Sequence, residues 1–130
     1  MDKMIVDEWL KYAENDLKVV HILAAHYPLQ LEIICYHCQQ AAEKALKAFL
    51  LANDCDPPRT HSLENLVDLC RNILADFDDI TTDCEYLNPF SVQPRYPFGF
   101  DLTEEDAITS IYKCERIVEF VRNKVALCYQ

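Results

Sequence analysis

A single glycine, Gly99, in 130 residues constrains this chain more than any other feature of its sequence. Glycine reaches positive φ without strain, and a sheet joined by tight hairpins needs it at turn after turn. A chain that nearly dispenses with it must turn rarely, and helices turn rarely. The alanine, leucine, glutamate and lysine that fill the sequence are strong helix formers. The length suits one domain around one core.

Periodicity places the helices. Val6, Leu10, Ala13, Leu17, Val20 and Ala24 recur at spacings of three and four, so a first helix is expected from about Asp2 to Ala25, its stripe widened by Trp9 and Leu23. Pro28 breaks it and is expected early in a second helix, about Leu29 to Ala52. There Ile34, Cys38, Ala41, Ala45 and Phe49 form one row, and Cys35, Gln39, Ala42 and Leu46 the next. Small residues at the centre of this face allow close helix approach. Tyr36, Gln40, Glu43 and Lys47 fall on another side, with Glu43 and Lys47 an i, i+4 pair.

If the two helices form an antiparallel hairpin, Asp16 comes level with Gln40 and near Gln39. A buried polar contact, or the floor of a ligand pocket, is expected there. "NDCDPPRTHS" reads as a loop in which Thr60 or Ser62 caps a third helix, "LENLVDLCRNILADF"; a shorter helix spans about Asp78 to Leu87. The proline- and aromatic-rich "NPFSVQPRYPFGF" is expected to pack onto the body of the protein. Thr103 and Asp106 then resemble a capping box. Ala107, Ile111, Cys114, Val118, Val121, Val125 and Cys128 form a seam for a bundle core or a dimer partner. The expected fold is all-α, an up-and-down bundle of four long helices and one short one, as one domain over residues 1–130.

The formal net charge is −10, with −2 on residues 1–53, −10 on residues 54–106 and +2 on residues 107–130. Broad, non-specific DNA binding needs a basic face and is not expected, but a small phosphate or nucleotide site is compatible. No run of 18 apolar residues occurs, so no membrane span is expected. The first residues lack the pattern of a secretory signal, which makes the cytoplasm the expected location.

Seven cysteines raise the question of redox or metal chemistry, above all Cys35 and Cys38 in a C-x-x-C around His37. A redox pair belongs at a helix N-terminus, and this one falls nearly two turns inside a helix. Zinc needs two further ligands at a recognisable spacing, and His21 with His26 is the nearest candidate repeat. Packed, reduced thiols are expected, with no metal and no cofactor.

With these elements in place, "WLKYAENDLKVV", "CYHCQQAAEKALKAFL", "RTHSLENLVDL" and "PRYP", in that order along nearly the whole chain, make it similar to the HEPN domain family (higher eukaryotes and prokaryotes nucleotide-binding). The resemblance implies a bundle of four to five helices, often dimeric. It also implies frequent pairing with a minimal nucleotidyltransferase as two halves of a toxin–antitoxin system. Some members are metal-independent ribonucleases with an R-x4-6-H motif on a late helix. Here no such motif can be drawn. His21, His26 and His37 precede the first arginine, Arg59; His61 follows it with one residue between; the last helix holds Arg116 and Arg122 but no histidine. An imidazole beside a guanidinium is what that chemistry requires, so no catalytic residue is assigned.

The expected function is therefore a non-catalytic module that binds a partner protein and a nucleotide. The alternatives are an RNA-acting enzyme that gathers Arg95, His61, Arg116 and Arg122 across a dimer, and a bundle that only oligomerises. For phosphate or nucleotide the candidates are His61 at a helix start, Arg95 beside the Tyr96 ring, and Lys44 and Lys47. Arg95, Tyr96 and His61 are expected to line a shallow cleft. Their structural alternatives are a loop anchor for His61, an ion pair for Arg95, a packed ring for Tyr96 and solvated lysines.

Overall fold

The computed structural model of the protein describes residues 2–92 and 101–130. Among them there is no strand, and five α-helices run in the order α1 (Lys3–Ala24), α2 (Leu31–Ala52), α3 (Leu63–Ile73), α4 (Thr81–Leu87) and α5 (Glu104–Leu127), with short 3₁₀ turns over Ala75–Ile80 and Asn88–Ser91. The all-α expectation holds.

The helix starts follow local chemistry. The Asp2 side chain accepts from the Met4 amide at 2.9 Å, and Ser62 accepts from the Asn65 amide at 3.2 Å. Thr103 and Asp106 close a capping box, each side chain accepting from the other's backbone amide, at 3.1 and 2.9 Å. The stop after α2 uses no glycine: Asp54 takes φ 58°, the left-handed region that Asp and Asn tolerate.

Three boundaries differ from the sequence expectation; one is the short helix, expected from about Asp78, which begins at Thr81 after a 3₁₀ turn. Pro28 lies in the connection after α1, and α2 begins at Leu31. The third helix ends at Ile73, because Leu74 is extended at φ −146°, ψ 111°. That break lets Phe77 turn inward against Phe49 and Phe120, with ring centroids 4.5 and 5.1 Å away.

α2 is the central element. It packs most extensively on α1 and α5, and also on α3 and α4. Ile34, Cys38, Ala41, Ala45 and Phe49, and the adjacent row with Leu46, are buried as expected. On α1 the wholly buried positions are Val6, Ala13 and Val20, while Leu10 and Leu17 sit at the edge of the core. The α5 seam packs into the chain's own core through Ala107, Cys114, Val118, Val121 and Val125. Cys128, expected on that seam, is exposed. No helix among the described residues is long and apolar enough to cross a membrane.

Candidate functional site

The side of α2 that borders its alanine rows carries His37, Gln40, Glu43, Lys44 and Lys47, recurring at helical spacing. Two buried carboxylates organise it. Asp16, from α1, accepts from Lys44 Nζ at 2.6 Å and pairs with His37 Nδ1 at 2.9 Å. Glu43 pairs with Lys47 Nζ at 3.1 Å through one oxygen and with His61 Nδ1 at 3.0 Å through the other. The amides of Gln39 and Gln40 also approach Glu43, each at 3.5 Å. Gln39, wholly buried, donates to the His61 carbonyl at 2.8 Å and accepts from Gln40 at 2.8 Å. His61 is thus held twice by α2, at its backbone and at its ring, while its side chain stays 71% exposed.

This arrangement corrects three details of the sequence reading. Asp16 is level with Gln40, but its partners are His37 and Lys44, one turn to either side, and not Gln39. Lys44 and Lys47 are not solvated lysines: their side chains are 28% and 11% exposed and each is fixed on a carboxylate. Glu43 is buried, because the segment ahead of α3 folds back over that side of α2 and brings His61 onto it. Sequence reasoning assigned no role to His37 or Glu43. Glu43 was legible only as a helix-surface ion pair, since its contact with His61 spans a loop.

A third buried carboxylate, Asp83 on α4, accepts from Lys113 at 3.1 Å and Arg116 at 3.2 Å on α5. Hydrogen bonding to Asp83 raises the Arg116 pKa above its ordinary value. Arg122 turns instead to Glu14 on α1, at 2.8 Å. Arg116 and Arg122 therefore serve different sides of α5 and do not join His61 within one chain. Arg95 and Tyr96, and with them the expected cleft, lie outside the described residues.

Burial sets the character of the core thiols. Desolvation pushes Cys35 up to about 11 and moves Cys70 and Cys84 higher still. Cys38 is raised first by its hydrogen bond with Cys114, then by burial. Among the described residues no group of three or more His, Cys, Asp or Glu side chains is arranged to hold a metal ion.

What the α2 face offers is two ammoniums and two imidazoles oriented on carboxylate supports. Comparison with known proteins places it in context. A protein of Methanocaldococcus jannaschii named Putative toxin MJ1304 is 29% identical over 136 residues, covering 88% of this chain and 84% of that one. Two crystal structures share the fold over 92% of this chain and 97% of theirs. TT1696 from Thermus thermophilus has 25% identity and a TM-score of 0.74, and ST0689, described as an archaeal HEPN homologue, has 28% identity and a TM-score of 0.72. The HEPN domain family matches residues 6–124, nearly the whole bundle, and the chain belongs to that family.

Proposed function

We propose that this HEPN domain is a binding module of a toxin–antitoxin pair. It engages a partner protein, a minimal nucleotidyltransferase, and holds a nucleotide or an RNA phosphate on the polar face of α2. It does so in the cytoplasm, as a homodimer and without R-x4-6-H ribonuclease chemistry. The carrying observation is that face itself: in a chain of net charge −10, buried Asp16 and Glu43 gather two lysines and two histidines onto one side of one helix. An ammonium has three donors, so a lysine held by one carboxylate keeps others for a phosphate oxygen. The toxin name of the archaeal relative supports the pairing. The missing motif argues for binding over cleavage.

Arg95 and Tyr96 belong to the same reading, a guanidinium for phosphate beside a ring for stacking. The test is co-purification with a co-expressed minimal nucleotidyltransferase, together with nucleotide titration of the isolated protein. Arg95→Ala should weaken nucleotide or partner binding and leave the melting temperature nearly unchanged. If Arg95→Ala unfolds the protein with no separable binding defect, that arginine is a structural clamp and its place in the site is lost.

A further inference from the structure

Near the start of α2, Glu32, Ile33, Tyr36 and His37 line a half-open recess of about 140 Å³. A cavity of about 150 Å³ holds one benzene-sized ring. The recess therefore has room for the six-membered half of a heterocycle, with anything attached to it left outside. Ile33 and Tyr36 supply an apolar and an aromatic wall.

Beside the Tyr36 hydroxyl, the recess presents two groups able to accept, a carboxylate and a ring nitrogen. Glu32 brings a carboxylate that forms no ion pair among the described residues. His37 brings a ring nitrogen whose character is set from behind. The Asp16 carboxylate can only accept, so a hydrogen sits on His37 Nδ1, 2.9 Å from Asp16; in the neutral ring this leaves the Nε2 lone pair for a ligand. Asp16 is itself buried and fixed by Lys44, which holds the ring's Nδ1 edge toward it.

Two acceptors beside one ring-sized recess select a flat edge with adjacent donors. Guanine has such an edge, N1–H next to the 2-amino group. Adenine and cytosine each place a ring acceptor beside their amino group, and uracil flanks its single N–H with two carbonyls. We infer that the recess is a guanine-selective base pocket, in which Glu32 accepts from N1–H and the 2-amino group while His37 Nε2 accepts the remaining amino hydrogen. Lys44, on the other oxygen of the Asp16 that holds His37, is the nearby cation for the phosphate left outside. This rests on the reading that the domain holds a nucleotide, and adds which base.

The experiment is calorimetric titration of the full chain with GMP, IMP, AMP and inorganic phosphate. GMP should bind at least about tenfold more tightly than AMP, the scale of one two-hydrogen-bond edge contact. IMP, which keeps N1–H and lacks the amino group, should fall between them. Glu32→Ala, on the exposed rim, should bring GMP down to the affinity of AMP with the melting temperature unchanged. The inference is overturned if AMP matches GMP, if inorganic phosphate matches GMP, or if Glu32→Ala keeps the preference. Equal binding of GMP and AMP that Lys44→Ala abolishes removes the guanine assignment and leaves the nucleotide reading standing. No binding of any nucleotide removes both.

Discussion

With 5% of its surface exposed, Glu43 is nearly out of reach of bulk water and takes its hydrogen bonds from Lys47, His61 and two glutamine amides. Removing one partner of such a group leaves the others desolvated and unmatched, typically at a cost of about 3–5 kcal/mol. Glu43→Ala should lower stability by about that much in urea denaturation. His61→Ala, at a ring largely in water, should cost less than about 1 kcal/mol. A Glu43→Ala loss no larger than that of His61→Ala would mean the network does not hold the segment ahead of α3. The thiols give a second prediction. At pH 8 Cys35 is a neutral thiol, since burial has moved it to about 11, and thiolate is the reacting form. A thiol reagent should therefore modify exposed Cys128 and half-exposed Cys55 in the native protein, and the other five only after denaturation. One zinc per chain, or a stoichiometric Cys35–Cys38 disulfide, would overturn the reading of packed thiols. Cys128 leaves the packed set because it lies past the end of α5, beyond the buried stripe.

The α1–α2 hairpin carries the element-scale prediction. Leu46 is wholly buried on α2, and Leu46→Ala should cost about 2–5 kcal/mol. Leu17→Ala should cost less, because Leu17 sits at the edge of the core. Lys11→Ala, on the exposed side of α1, should change stability by less than about 0.5 kcal/mol. Equal losses at all three positions would mean the helix faces are misassigned. These faces were legible in the sequence because a stripe at spacings of three and four is a local property of a helix. So were the Ser62 and Thr103 caps, whose partners lie three residues away. The end of α3 was not. "ILADF" continues a helical pattern, but burying Phe77 between Phe49 and Phe120 requires the chain to bend at Leu74. The candidate site divides in the same way. Asp16 was placed at the right level by hairpin geometry, yet its choice of His37 and Lys44 depends on side-chain reach that a register argument does not contain. The His61–Glu43 pair depends on how an intervening loop returns, and no periodicity reports that.

At the scale of the whole molecule, the open point is what the outer helices meet. The α5 seam that the sequence offered to a core or to a dimer partner is buried within the chain, so a dimer needs another surface. The ion pairs Arg122–Glu14 and His21–Glu115 fix α1 and α5 as antiparallel neighbours. Following that register beyond His21 brings the end of α1 alongside the start of α5. Ile22, on α1, is 62% exposed, and Ile108 and Tyr112, on α5, are 60% and 62% exposed. Met4, Ile5 and Leu127 are exposed at the other end of the pair, but Ile108 and Tyr112, four residues apart, share one face of α5, and adjoining apolar side chains mark a contact surface where single ones do not. An isologous dimer would place this outer end of the α1–α5 pair against its own copy. Sedimentation of the full chain at micromolar concentration should then give twice 15.1 kDa. Ile108→Glu should return it to one chain mass without loss of helix content, because the side chain lies outside the core. A dimer that survives Ile108→Glu uses a different face. A monomer at the outset removes the dimer, and with it any site assembled from Arg116, Arg122 and His61 across two chains, since within one chain Asp83 and Glu14 hold those arginines on separate sides of α5.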